Sequence, residues 1–271
     1  AVPGQLFQRL VFDQNNNLVN FPGVSGAVSM TFVGTGSQVV EQFRTPIELN
    51  AIDQRHLVIG GNNYIYESFD RGQTVRQINL GKGIKQLAYG GYRTINGTPV
   101  ANQDVLWVVA GVNVFYRETG VATSPLPSQG FANIHFGDTD ETLDVVMDPD
   151  DYRTAYVIDQ NNIFMTTDAG ATWKEISGGG KLGNLIGDFR ALNYIRRSPG
   201  EQDQLMVGGL TGVARIYIEQ AKTADNFNGW EKYGLGMPNA PIRDIDYDEN
   251  DDALVVASFG RGAWITNATD I

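Results

Sequence analysis

Two aspartates, Asp144 and Asp244, are the residues of this sequence best suited to acid–base chemistry. Each lies near the start of a short apolar segment, and Glu48 and Asp246 occupy similar settings. Glycoside hydrolysis uses two carboxyl groups about 5–10 Å apart. Asp144 and Asp244 are therefore the candidate catalytic pair. The alternative is that these carboxylates are ion-paired with neighbouring bases.

Three basic residues recur at similar places in the apolar segments: Lys85, Arg190 and Arg243. They would add positive charge beside the carboxylates, so we predict that they contact a ligand. Phe136 lies on a long connection, where its ring could stack on a sugar. It completes the predicted ligand-binding set.

A third pattern concerns metal binding. Asp244, Asp246 and Asp248 alternate along the chain, and Asn250 and Asp252 continue the series. Carboxylate oxygens are ligands that Ca²⁺ prefers, but the Gly and the Glu that complete an EF-hand loop are missing. Calcium is thus the one cofactor that these residues could hold. The alternative is a solvated turn.

The segments that carry these residues belong to a repeat. Five segments pair an apolar run with a Gly or polar break and a second apolar run. The second residues of the five first runs are 49, 49, 50 and 49 positions apart: Val58, Trp107, Tyr156, Met206 and Val255. About one step before Val58, the segment Leu10–Val19 contains nearly the same residues as Val157–Asn162. The sequence therefore contains six units.

Each unit is predicted to form four strands: an inner strand, the two strands of the paired runs, and an outer strand. Four strands in a period of about 40–50 residues are typical of a β-propeller. We predict an all-β chain and a single domain over residues 1–271, with six four-stranded blades as the first choice and five or seven as alternatives. The approximate units are 1–44, 45–82, 83–136, 137–186, 187–238 and 239–271.

Ring closure is left open by the first and last units. The first lacks an inner strand and the last lacks an outer one. Unpaired strand edges invite aggregation, so a ring must seal them. An N-terminal segment could seal the last blade, with six or five blades in the ring, or the chain could be the end of a longer propeller.

Two units carry a matching local motif. Its positions are Ser68, Asp70, Gly72 and Thr74 in one unit, and Thr166, Asp168, Gly170, Thr172 and Trp173 in another. The motif resembles the Asp box, or BNR repeat, of sialidases, sortilin-type receptor domains and family 74 xyloglucanases. The resemblance implies a hairpin between the third and fourth strands of a blade, away from the catalytic face. In such a turn the Asp accepts backbone N–H bonds, the Gly takes positive φ, and Trp173 can pack between blades.

The segment Phe43-Arg44-Thr45-Pro46 resembles the first arginine segment of sialidases and precedes the first motif copy, as in that family. The resemblance implies that Arg44 binds a substrate carboxylate and joins the catalytic candidates. The other sialidase arginines, and a Tyr/Glu nucleophile pair, have no recognisable counterparts.

Composition excludes several classes of function. The formal net charge is -11, with 20 Lys+Arg against 31 Asp+Glu, so no basic footprint for nucleic acid is visible. The chain has no cysteine, which excludes disulfides and thiolate chemistry. Since the sequence has no run of 18 apolar residues, we predict no membrane insertion.

We therefore expect a non-catalytic binding module for a glycan or a protein. It would be extracellular or at the cell surface, with the periplasm as an alternative, and part of a larger secreted protein with further domains. The alternative is a glycan-active enzyme, sialidase-like or another glycoside hydrolase or lyase. It would use the carboxylates and arginines of the inner strands, which line the central channel of a propeller.

Overall fold

A computed structural model of the chain describes residues 11–20, 30–33, 39–40, 42–119, 140–197, 200–223, 227–234 and 236–267. Strands dominate these residues. The first ten are β1 Val11–Phe12, β2 Leu18–Asn20, β3 Thr31–Val33, β4 Ile47–Leu49, β5 Leu57–Gly60, β6 Tyr64–Ser68, β7 Thr74–Asn79, β8 Ile84–Ile95, β9 Thr98–Ala110 and β10 Asn113–Arg117.

The remaining strands are β11 Asp144–Asp148, β12 Asp151–Ile158, β13 Ile163–Thr166, β14 Lys174–Glu175, β15 Phe189–Ile195, β16 Gln204–Gly209, β17 Gly212–Tyr217, β18 Glu231–Tyr233, β19 Ile242–Asp248, β20 Ala253–Ser258 and β21 Gly262–Asn267. Two short helices interrupt them, α1 Lys181–Ile186 and α2 Ile218–Thr223.

The strands pair as antiparallel meanders in chain order. The successive sets are β4 to β7, β8 to β10, β11 to β14, β15 to β18, and β19 to β21. The second and third sets are joined by one bridge, between Arg93 and Asp151. In the described part of the first 44 residues, β1 and β2 pair with each other, and β3 pairs in parallel with β7.

Hydrophobic clusters lie between consecutive sheets rather than in one central core. One cluster packs Val58 and Ile65 of one sheet against Leu87 and Leu106 of the next. Others join the later sheets in the same way. In the last sheet, Ile265 of β21 is 73% exposed. Stacking between the sheets therefore holds the fold together.

Close packing between sheets depends on small residues at fixed places. A Cβ added at Gly208 in β16 would lie 2.5 Å from Cγ2 of Ile242, the first residue of β19. Gly60 in β5 makes the same approach to Ile84, the first residue of β8, at 2.6 Å. The start of each of these two inner strands is thus seated on a glycine of the preceding sheet.

The turn at residues 68–74 joins β6 to β7, the third and fourth strands of their sheet. Asp70 Oδ1 accepts the N–H of Thr74 at 2.7 Å, and Asp70 Oδ2 accepts the Thr74 hydroxyl at 2.7 Å. Ser68 Oγ accepts the N–H of Gly72 at 2.7 Å, and Gly72 has φ of 78°. The motif residues thus close the turn through hydrogen bonds to one another.

The turn at residues 166–172, before β14, repeats these contacts. Asp168 accepts the N–H and the hydroxyl of Thr172 at 2.8 and 2.6 Å. Thr166 Oγ1 accepts the N–H of Gly170 at 2.9 Å. Trp173 packs against a core cluster and donates its indole N–H to Gly170 O at 3.0 Å. The two turns therefore have one structural role.

Candidate ligand-binding site

The first strands of five sheets surround a central cavity of about 840 Å³. These inner strands are β4, β8, β11, β15 and β19. A second cavity, of about 520 Å³, adjoins it where the inner strands begin. We call this second cavity the mouth; its polar and aromatic lining is Gln42, Phe43, Arg44, Lys85, Gln86, Asp144, Gln160, Asp188, Phe189, Arg190, Arg243 and Asp244.

The mouth brings together six residues that the sequence singles out. They are Arg44, Lys85, Asp144, Arg190, Arg243 and Asp244. Glu48 and Asp246 line the deeper cavity instead. Phe136 lies outside the described residues. The roles of these side chains stay predictions, but their convergence is a property of the fold.

Three inner strands have an irregular register at the same point. In β8, Ile84 and Gln86 pair with the adjacent residues Ala110 and Val109, so Lys85 is an extra residue. Arg190 in β15 and Arg243 in β19 occupy the same kind of bulge. A bulge takes one residue out of ladder pairing and redirects its side chain. Bulges therefore present these three bases at the mouth.

The bases at the mouth differ in their contacts. Lys85 forms an ion pair with Glu141 at 2.8 Å. The guanidinium carbon of Arg243 lies 5.0 Å from the ring centroid of Phe259. Arg44 Nη2 donates to the backbone oxygen of Arg243 at 3.4 Å, linking the approach to β4 with β19. The Nε of Arg190 is buried and has no hydrogen-bond partner among the described residues.

Asp144 is the most deeply buried carboxylate of the mouth, at 8% exposure. Its oxygens accept the backbone N–H groups of Leu192 and Val145, both at 2.8 Å. Burial raises the pKa of Asp144 to about 7, and the negative charge of Asp244 adds to the rise. The two backbone hydrogen bonds and the positive charge of Arg44 act in the opposite direction.

Asp244 and Glu48 also have raised pKa values. Burial, reinforced by the nearby charge of Asp246, raises the pKa of Asp244, while the Ile245 N–H and Arg44 oppose the rise. Burial raises the pKa of Glu48 to about 7, and Asp246 and Asp144 add to the rise. Carboxyl groups that titrate near neutrality in a cavity can exchange protons with a ligand, which is one signature of a functional site.

The predicted metal ligands follow one strand, β19, at alternate positions. Asp248 Oδ1 accepts the N–H groups of Asn250 and Asp251 at 2.9 and 3.3 Å, which closes the turn after the strand. Within the described ranges, no group of three or more His, Asp or Glu is arranged to hold a metal ion. Calcium binding stays a prediction.

Sequence reasoning missed two exposed aromatic rings beside the mouth. Phe43 lines it and is fully exposed, and Phe259 is 64% exposed against Arg243. Phe43 precedes Arg44, which the sequence singles out, and Phe259 begins a glycine-rich turn. A Phe in a polar or glycine-rich setting next to an inner strand is the signal that could have identified them.

No family model matches this chain, and no curated protein matches it. Among solved structures, an ancestral GH74 enzyme is similar with a TM-score of 0.55 and 13% identity, over 81% of this chain. Raptor from Chaetomium thermophilum has a TM-score of 0.53 and 12% identity, over 83% of this chain. YCF48 from Cyanidioschyzon merolae has a TM-score of 0.48 and 14% identity, over 82% of this chain and 66% of its own.

The chain spans 30% of the length of the GH74 enzyme and 19% of that of Raptor. Identities this low establish the fold alone. The similarity to the GH74 enzyme and to Raptor, together with sheets that stack around a central cavity, shows that the chain folds as a β-propeller, as its sequence predicts. Within the described residues, no helix is long and apolar enough to cross a membrane.

Proposed function

We propose that this chain is a non-catalytic propeller module that binds a glycan or a segment of another protein at the mouth. The observation that carries the proposal is the presence of exposed rings and guanidinium groups together there: Phe43 precedes Arg44 in the chain, and Phe259 lies against Arg243. Aromatic and Arg side chains dominate the binding energy of protein interfaces, and polar groups placed in a concave site fix the orientation of its ligand.

The state of Asp144 favours binding over catalysis. Both of its oxygens are held by backbone N–H groups, and its side chain is almost fully covered. A general acid must reach the leaving group of its substrate within hydrogen-bond distance. A covered carboxylate that links two strands is better suited to holding the ring together.

A glycan-active enzyme is the second candidate, and one observation favours it. Glu48 and Asp144 both have pKa values of about 7, which suits an acid–base pair at neutral pH. The sialidase-like setting of Arg44 supports the same alternative.

A panel of polysaccharides and sialosides separates the two candidates. The chain is incubated with each, released sugar is measured, and retention on immobilised glycans and proteins is measured in parallel. Binding without release supports the module. Turnover that disappears in Arg44→Ala and in Asp144→Asn, with unchanged melting temperature, would contradict it.

The finer architecture belongs to the same proposal. The matched turns at 68–74 and 166–172 support assignment to the Asp-box superfamily. Five inner strands around the cavity support a ring of five blades sealed by the N-terminal segment, rather than the six predicted from the repeat. We also propose an extracellular location within a larger protein. Sequencing the gene on both sides of this chain, and fractionating the host, test these points.

A further inference from the structure

We propose that the mouth selects an acidic glycan, and that Lys85, Arg190 and Arg243 bind its oxyanion group. This inference rests on the proposed binding function, and it adds the chemical class of the ligand. The shared chemistry is a carboxylate or a sulfate, since guanidinium forks bind either one through paired N–H bonds.

The first support is the repetition of the bulge. Lys85, Arg190 and Arg243 are the extra residues of three different inner strands, and in each case the residue before is buried: Ile84, Phe189 and Ile242. Each bulge interrupts the regular hydrogen-bond ladder of its strand. Three bulges that each place a base at the extra position are therefore unlike basic residues scattered over a solvated surface. Bulges are over-represented next to functional sites because they redirect side chains.

The second support is the buried Nε of Arg190, which lacks an acceptor among the described residues. A buried N–H without a partner is destabilising. Arg190 lines the mouth, so a shift of its side chain would let an oxyanion there accept this N–H. Of the carboxylates at the mouth, Asp188 already accepts from Gln160 Nε2 at 3.0 Å, and Asp144 accepts two backbone N–H groups.

The mouth carries as many cations as carboxylates. Arg44 adds a fourth cation, against Asp144, Asp188 and Asp244 in the lining and Glu141 beside Lys85. Because Asp144 has a pKa of about 7, it is only partly ionised at neutral pH. The mouth is thus not acidic, in a chain whose formal net charge is -11.

The exposed rings of Phe43 and Phe259 favour a glycan over an acidic peptide, because a sugar ring can stack on each while its acid group reaches the bases. An acidic peptide is therefore an outcome of the test rather than part of the proposal.

The test is isothermal titration of the chain at low ionic strength with four probes: tetragalacturonate, its methyl ester, a κ-carrageenan tetrasaccharide, which carries sulfate and no carboxylate, and hexaglutamate. We expect an acidic glycan to bind at least about ten-fold more tightly than the neutral methyl ester, with affinity falling as salt rises. The carboxylate and sulfate arms distinguish the two acid groups. Arg190→Gln should weaken the tighter complex about ten-fold or more.

The matched control is Arg55→Gln, which removes an exposed Arg from the connection between β4 and β5, at the opposite ends of the strands. It should bind as the unsubstituted chain does. Equal binding of acidic and neutral glycans, or equal effects of the two variants, would overturn the inference and leave the binding module standing. Binding of hexaglutamate alone would overturn the glycan class. If nothing binds here or on the wider glycan and protein panel, both proposals fail.

Discussion

The carboxylate of Asp144 accepts a hydrogen bond from the backbone N–H of Leu192, with 2.8 Å between Oδ2 and N. Asp144 begins β11 and Leu192 lies in β15, so the bond joins the inner strands of two neighbouring sheets. The residue that sequence reasoning selects as a catalytic acid therefore has a structural task at the mouth.

Replacing Asp144 by Ala should lower the free energy of unfolding by about 1–3 kcal/mol, because two backbone N–H groups lose their acceptor. Asp144→Asn should cost less, since the amide oxygen can keep one of the two bonds. Urea denaturation at pH 7 measures both. Asp246→Ala, at an exposed position of β19, is the control and should change stability by less than about 0.5 kcal/mol. Equal losses for Asp144→Ala and Asp246→Ala would rule out the structural role.

The raised pKa of Glu48 predicts a pH-dependent stability. The folded chain holds a proton on Glu48 up to about pH 7, whereas the unfolded chain releases it near the ordinary value of 4.5. Ionised Glu48 is therefore disfavoured in the folded chain, and its contribution to stability falls as pH rises through this window. Glu48→Gln should gain stability relative to the unsubstituted chain between pH 5 and pH 8. Glu249→Gln, whose side chain is 62% exposed, should show no such trend. A stability difference for Glu48→Gln that stays constant with pH would refute the shift.

The matched turns should be structural and not part of ligand binding. Asp168→Ala removes the acceptor of the Thr172 N–H and hydroxyl, so we expect a loss of about 1–3 kcal/mol in the free energy of unfolding. Asp70→Ala should behave alike. Ligand affinity of the folded variants should be unchanged, because these turns lie at the ends of the sheets away from the mouth. Loss of binding with intact stability would assign them to the site instead.

A buried ion pair joins two neighbouring sheets. Arg117 Nη1 lies 3.0 Å from Glu67 Oε2, and the two side chains are 5% and 0% exposed. Arg117→Met leaves the Glu67 charge buried and unpaired, which should cost about 3–5 kcal/mol. Adding Glu67→Leu should recover part of that loss, because the double variant has no stranded charge. A double-mutant cycle in urea measures the coupling, and additive losses would contradict it.

Gly208 links packing to the position of Arg243. An Ala at this position would press its Cβ against Ile242, which precedes the bulge, at a cost of about 1–3 kcal/mol. We also expect weaker ligand binding, because the bulge must shift. Gly183→Ala in α1 has open space around the added Cβ and should be neutral or stabilising. The melting temperatures of the two variants measure the change in stability, and titration of the folded variants with the ligand measures the change in affinity.

Much of the architecture follows from the sequence because the 49-residue step places one strand of each unit. That step leads to β5, β9, β12, β16 and β20, and the inner strand before each one carries the candidate bases and acids. Since inner strands of a propeller meet at its axis, the convergence of Lys85, Arg190 and Arg243 could be predicted.

Other features depend on contacts that one sequence does not reveal. Residues 92–103 have the polar composition of a loop, but they extend β8 and β9 as a long hairpin that strand pairing stabilises. Helix α1 was missed because Gly178, Gly179 and Gly180 precede it. Glu67 and Arg117 lie fifty residues apart in the chain. The sequence signal for their ion pair is that two oppositely charged residues occupy equivalent positions in adjacent units.

Binding at the mouth is the central claim, and hydrogen–deuterium exchange with the tightest-binding probe tests it most directly. The account predicts slower exchange in the peptides that contain residues 84–86, 189–191 and 242–244, and no change at residues 68–74 and 166–172. Protection confined to the hairpin at residues 92–103, or to the matched turns, would contradict it.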